Sequence, residues 1–425
     1  MNDVFKKISS IYLIIIIGIL TYLTSSPVFH VVLILGFLLY IMVIYDFEIT
    51  HPLVWFSGFY IMYSYGYTMI HILEQDSLYG YTNENSLYSL AGLLAYFLFI
   101  SYKSEKKSYL AVDDDSYGEN TIKQKLLKII IIIASLFIIM GSLYVSRFDF
   151  NRKAELVGEA NLIFRLTTYL TRYVALFITL YILKDKEKMH LPLVLFSGFS
   201  VILFSFVTAE RDAIFRFVLL IFIAYFVSGR LNKKMLLFYF LIGFLFIIFM
   251  SNMKYFFISG EISQHSEKSF LVRLLYGDFY APGENMQLLI NNSWTKSSVG
   301  YSHIFLEVIT PFIMMKNMNL SLWFHDTFYA GSHWSRAFTL IGQGYVVGGY
   351  FGVILIFSIV GALVNYLFKK SKKSLYWLVI YLYSIANISS SFRGTLYGII
   401  DNTIKVPLIG IGALILIDRL SRRRL

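Results

Sequence analysis

The sequence predicts an all-α, polytopic integral membrane protein of about twelve transmembrane helices, with one large outer loop containing short interfacial or re-entrant helices. Three observations carry this. Hydrophobic residues fill 57% of the 425 positions and charged residues only 15%, against roughly 25% charged in ordinary soluble domains. Mean hydropathy is +0.65. The apolar residues gather into runs near the ~20 residues that a helix needs to cross hydrocarbon, while the block 252–336 is long and polar enough to build something outside the bilayer.

In chain order the first run is 8–24, preceded by Lys6 and Lys7 in the manner of a signal peptide. Many further runs follow, so it reads as a retained helix. The others are 28–45, 52–72, 86–102, 126–146, 161–183, 191–208, 213–228, 235–253, 337–368, 375–391 and 399–418. The run 337–368 is overlong for one crossing and either starts outside the hydrocarbon or tilts.

Lysine and arginine in the connectors fix the orientation. With the N-terminus inside, the inner connectors carry Lys6 and Lys7, then Lys103, Lys106, Lys107, Lys123, Lys125 and Lys128. Lys184, Lys186 and Lys188 follow, then Arg230, Lys233 and Lys234. Lys369, Lys370, Lys372 and Lys373 precede Arg419, Arg422, Arg423 and Arg424. These are more than half of the 37 basic residues. Only the inner connector 46–51, with Asp46 and Glu48, breaks the pattern. Both termini are therefore expected in the cytoplasm, and 252–336 faces outward, which in a bacterium is the periplasm. Three divisions result: an N-terminal bundle (1–251), the large periplasmic loop (252–336) and a C-terminal bundle (337–425). The net charge of +11 is thus a property of cytoplasmic connectors and not of a nucleic-acid face. Asp113–Asp115 reads as a solvated loop. With no cysteine, thiolate catalysis, disulfides and zinc–thiolate sites are excluded. The eight histidines lack metal-ligand spacing, so neither a metal nor a cofactor is expected.

Charges inside apolar runs are expensive and usually face a bundle interior. Arg165 and Arg172 are seven residues apart and share a helix face with Thr168 and Thr179; Arg172 lies ~10 Å deeper. They are either paired structurally or line a water-filled anion site. The short turn Thr208-Ala209-Glu210-Arg211-Asp212 sits at the outer interface. Asp212 and Arg216 are spaced to pair, whereas Arg211 stands at the positive end of a helix, where an anion would explain it. Ser332 or Ser335 can cap the next helix with Arg336 in its first turn, a phosphate-binding arrangement. Arg393, in Ser389-Ser390-Ser391-Phe392-Arg393-Gly394, closes another outer turn. An interfacial or rim position is the plain alternative for each.

The large loop is rich in aromatics, including Trp294, Tyr301 and Trp334. These either anchor it at the headgroups or stack on sugar rings. Val299–Met315 is nearly apolar but broken by His303, Glu307 and Pro311, so it reads as an interfacial or re-entrant helix. General-base candidates are His303 and Glu307, which share one face at i,i+4, and His333.

Two stretches resemble the bacterial oligosaccharide repeat unit polymerases of O-antigen and capsule synthesis, the Wzy type. One runs from Gly300-Tyr301-Ser302 through Ile309-Thr310-Pro311 to Lys316. The other holds Ser335-Arg336-Ala337-Phe338, Gly342-Gln343-Gly344-Tyr345 and Gly348-Gly349-Tyr350-Phe351-Gly352. The turns at Arg211 and Arg393 look similar too. Two positions depart: Phe312 stands where the family often has arginine, and Gln343 where it often has glutamate. The resemblance implies a multi-pass protein of the bacterial inner membrane that works at its periplasmic face. It would transfer a growing glycan from undecaprenyl pyrophosphate to the non-reducing end of a lipid-linked repeat unit. Arg211, Arg336 and Arg393 would grip the pyrophosphate and Arg165 and Arg172 line the cavity. Trp294, Tyr301, Trp334 and Tyr345 would bind glycan. The base stays open among His303, Glu307 and His333. Implied partners are the lipid-linked glycan, membrane lipid, and a chain-length regulator and flippase of the same pathway. An O-antigen ligase shares the topology and differs in acceptor. A lipid-linked oligosaccharide flippase would need the charged cavity but not the aromatic outer loop.

Overall fold

A computed structural model describes residues 3–74, 83–100, 124–147, 161–184, 191–208, 210–231, 272, 279–313, 319–330 and 338–423. Every regular element among them is helical. The helices are α1 (Asp3–Leu23), α2 (Pro27–Ile44), α3 (Pro52–Glu74), α4 (Asn83–Phe99) and α5 (Gln124–Val145). Then come α6 (Asn161–Lys184), α7 (Leu191–Thr208), α8 (Arg211–Val227), α9 (Tyr280–Asn291), α10 (Ser302–Ile309) and α11 (Leu320–Phe328). α12 (Leu340–Ser371), α13 (Leu375–Ser391), α14 (Leu396–Ile400) and α15 (Val406–Arg423) complete the order, with a π-helical turn over Asp401–Lys405. Among the described residues, seven segments are long and apolar enough to cross a membrane: Val4–Leu23, Pro27–Ile44, Gln124–Val145, Leu162–Lys184, Leu191–Thr208, Leu340–Ser371 and Leu396–Ile417. The expected run 235–253 lies outside the described residues.

The chain divides into two compact units, each assembled from separate stretches. The first takes Met1–Tyr109, Lys268–Phe368 and Ile388–Asp401. α3 is its centre. This helix is less apolar than α2 because it carries Tyr60, Tyr63, Tyr65 and Tyr67, all buried. Their hydroxyls need partners inside: Tyr60 donates to the Ser89 carbonyl at 2.6 Å and Tyr65 to the Ser86 carbonyl at 3.5 Å, both on α4. Phe56 stacks on Tyr96 and meets Phe357 and Phe392 edge-on. α9 crosses α3 closely because each presents a glycine. A Cβ on Gly66 would strike the Phe279 backbone, and one on Gly283 the Tyr67 side chain. Two carbonyls at the end of α4 are also satisfied. Lys7 reaches across to Leu98 O and Ile100 O, both at 3.1 Å, a favourable place for a cation.

α12 is not one straight rod. Gly348 and Gly349 leave helical geometry, and Gly349 adopts φ +57° and ψ −132°, a region left to glycine. Positions eight apart in a straight helix are about 12 Å apart along its axis. Here a Cβ on Gly352 would strike the Gly344 carbonyl, so the chain bends sharply. The bend frees the carbonyls of Tyr345 and Val346, which an unbroken helix would satisfy four residues on. A short strap supplies the missing donors: Ser297 N–H reaches Tyr345 O at 3.2 Å and Val299 N–H reaches Val346 O at 2.9 Å. Ser297 itself has φ +56°, uncommon for a residue with a side chain. The overlong run is therefore a short helix, a break, and a second helix long enough to cross on its own.

The second unit takes Leu110–Glu267, Lys369–Asn387 and Asn402–Leu425. α5 packs on α6 and α7, α8 packs on α6 and α7, and α15 lies on α6. Small polar residues allow this. Ser135 on α5 donates to Ser197 on α7 at 3.3 Å. Gly141 on α5 faces Thr167, and Gly410 on α15 faces Tyr173 of α6.

Candidate active site

The chemistry-bearing residues of the first unit gather where α10, the start of α12 and the turn before α14 meet. α10 is amphipathic. His303, Ile304 and Glu307 are buried, while Phe305 is 65% exposed. The helix ends after two turns, at Ile309, where Pro311 has no N–H to give the Glu307 carbonyl four residues back. A helix does form within 299–315, but a short one, about 12 Å long. The i,i+4 spacing does place His303 and Glu307 together, with Nε2 3.9 Å from Oε1, beyond hydrogen-bond reach.

Glu307 spends its charge on backbone. Its Oε2 accepts the Tyr397 N–H at 2.6 Å. Gln343, on α12, uses Oε1 to accept the Leu396 N–H at 2.8 Å. These are the first two N–H groups of α14, which a helix cannot satisfy itself. Thr395 stands at the N-cap, yet its own hydroxyl makes no capping bond; it faces Glu307 instead. Burial pushes the Glu307 carboxyl above its ordinary value of 4.5. The Tyr397 N–H, His303, Gln343 and Thr395 pull the other way, and burial wins. The Gln343 Nε2 faces the Glu307 carboxyl, though not in good hydrogen-bond geometry. A raised acid holds its proton more tightly folded than unfolded. Its contribution to stability is fully present below pH 4.5 and is lost as the pH rises through the folded value. Glu307→Gln keeps the acceptor and removes the charge, so its unfolding temperature in detergent should fall less than the wild type's as the pH is raised above 4.5. Equal falls would show that Glu307 is not the titrating group.

Arg393 lies on the turn that these two side chains close. It is half-buried and has interaction partners. Leu340 N–H bonds the Phe392 carbonyl at 3.0 Å and Gly394 N–H the Ser391 carbonyl at 3.0 Å, so the turn is held on both sides. The aromatics separate into two kinds. Trp294 and Tyr301 are 60% and 52% exposed. Trp294 stacks with Phe328, ring centroids 6.2 Å apart, and the Tyr301 ring lies against Gly348. Tyr345 is only 2% exposed, edge-on to Tyr88 at 5.2 Å, and presents no face for a sugar. His333, Trp334 and Arg336 lie outside the described residues.

In the second unit, Arg165 is exposed and only Arg172 turns into the packing. Its guanidinium lies over the Tyr169 ring at 5.0 Å, and Lys405 lies over the same ring at 5.8 Å. Arg216 sits 3.5 Å from Asp212 and close enough to Arg172 and Tyr383 to act on both. Arg211 opens α8, with Glu210 at the N-cap and Asp212 in the first turn; its side chain lies outside the described set. Sequence reasoning assigned Arg216 to Asp212 alone and set Gln343 aside. No local pattern pointed to Arg216 beside Arg172, or to Gln343 beside Glu307. Among the described residues no group of three acidic, histidine or cysteine side chains could hold a metal.

Crossing-length helices, arginines at helix ends and buried polar groups that meet at one turn define a polytopic membrane protein with a built polar site. Residues 7–422 match the family O-antigen polysaccharide polymerase Wzy, and the chain belongs to that family. It is an O-antigen repeat-unit polymerase, a membrane protein that transfers glycosyl groups between lipid-linked oligosaccharide repeat units. No curated protein and no solved structure matches the chain.

Proposed function

We propose that the polymerase works at the periplasmic face of the bacterial inner membrane, with about twelve spans and both termini in the cytoplasm. The bond between the anomeric carbon of the growing glycan and undecaprenyl pyrophosphate breaks. A hydroxyl at the non-reducing end of the incoming lipid-linked repeat unit attacks that carbon, and undecaprenyl pyrophosphate leaves with the bonding electrons. The turn fixed around Arg393 is the observation that carries this reading. A guanidinium carried on a fixed turn can meet the charge that develops on the leaving oxygen with little reorganisation. Arg336 completes the grip.

The acceptor proton needs a base within reach. His303 and Glu307 are 4% and 3% exposed, which favours His333 as the proton acceptor. Trp294 and Tyr301, with Trp334, supply rings for sugar stacking. The buried Tyr345 supports the bend that carries Tyr301. A chain-length regulator and a flippase of the same pathway are the expected partners.

Deleting the gene in a strain with a visible O-antigen ladder should leave lipid A core bearing a single repeat unit. Loss of all O-antigen attachment would instead point to a ligase or a flippase.

A further inference from the structure

We infer that Glu307 and Gln343 form an acceptor pair that positions the Arg393 turn, and that Glu307 takes no part in proton transfer. This rests on the reading of Arg393 given above. The geometry carries it in three steps. First, the N-terminus of α14 needs two acceptors, and a threonine at its N-cap could supply one cheaply. That hydroxyl is not used. Two side chains from elsewhere are, 53 and 90 residues away in sequence. Second, one of them is a carboxylate 3% exposed, and burying a carboxylate is a costly way to do what a local hydroxyl could do. What the distant pair adds is location. It ties α14 to α10 and α12, with the third tie at Leu340 N–H on Phe392 O. The residues between those ties are 393–395, so the backbone of Arg393 cannot shift without breaking one of them. Third, Oε2 of Glu307 and Oε1 of Gln343 each accept a backbone N–H. An amide oxygen does that as a carboxylate does, so the site needs two acceptor oxygens and not a particular base.

The pair is then exchangeable. Glu307→Gln keeps an acceptor for Tyr397 N–H, and its new amide hydrogens face the Thr395 hydroxyl. Gln343→Glu keeps an acceptor for Leu396 N–H and removes the amide that faces Glu307. Alone, however, it sets a second carboxylate beside Glu307, where two charges cannot both be comfortable.

The test uses the full-length protein in its membrane, read by ladder length at matched protein level. Glu307→Ala and Gln343→Ala should each cut polymer roughly tenfold or more, the size of a lost buried hydrogen bond to an ionised or amide group. Glu307→Gln should stay within about threefold of wild type, with an unchanged pH profile of polymerisation in isolated membranes. Gln343→Glu should be impaired and Glu307→Gln/Gln343→Glu restored. Adding Glu307→Ala to Arg393→Ala should lower the residual activity no further, because both act through one group. Glu307→Gln as inactive as Glu307→Ala, at normal protein level, would overturn the inference and return Glu307 to acid–base chemistry. A double exchange no better than Gln343→Glu alone would also overturn it. So would a damaging Glu307→Ala beside a harmless Arg393→Ala. That last outcome leaves the polymerase reading standing, because the gene deletion tests it separately.

Discussion

Arg393→Lys should abolish the O-antigen ladder almost as fully as Arg393→Ala, leaving lipid A core with a single repeat. Loss of a donor that meets developing charge lowers turnover by roughly 10²–10³. Lysine keeps the charge but not the planar fork that grips two phosphate oxygens at once. The turn itself should survive, because its ties run through Phe392 O, Leu396 N and Tyr397 N, all backbone. Protein level and unfolding temperature should therefore match wild type. A normal ladder from Arg393→Lys would remove this residue from the pyrophosphate grip. Arg336→Lys, scored on the same gel, is expected to behave alike for the same reason.

Gly349→Val should cost the protein its fold. Gly349 has φ +57°, and a β-branched residue there carries about 1–3 kcal/mol of backbone strain. A Cβ at Gly349 also meets the Lys296 side chain at 3.0 Å. Gly352→Leu should be as damaging, since its Cβ would overlap the Gly344 carbonyl. The expected result is aggregate in detergent chromatography and little protein in the membrane. Gly36→Ala is the control, a helical glycine with nothing within 4 Å, which should leave the protein unchanged or slightly more stable. A monodisperse, ladder-competent Gly349→Val protein would mean that the bend is not needed.

The helices were legible because hydrocarbon imposes one rule on every residue of a span. Run 191–208 returns as Leu191–Thr208 and 375–391 as Leu375–Ser391. Run 52–72 returns as Pro52–Glu74, although its tyrosines mark a helix buried in protein. The overlength of 337–368 was visible, but its cause was not. A pair of glycines in an apolar run is compatible with close packing or with a break. Only the Ser297 and Val299 donors, about fifty residues earlier in the chain, make the break affordable. The site was legible where spacing is local. His303 and Glu307 meet as four-residue spacing requires. What Glu307 does was hidden, because its partner is a backbone N–H and backbone carries no residue code. Burial also separated residues that looked equal on paper: Tyr301 is open while Tyr345 is enclosed, and Arg172 is packed while Arg165 is not.

The strap at Ser297 and Val299 has a consequence for biosynthesis. It precedes α12 in the chain, so it has left the ribosome before the segment it braces is made. The apolar stretch Leu340–Ser371 can therefore enter the bilayer as a continuous helix, with every carbonyl internally satisfied. The glycine pair can then open against donors made earlier in the chain. Bending follows insertion in this order, and no intermediate need expose bare carbonyls to lipid.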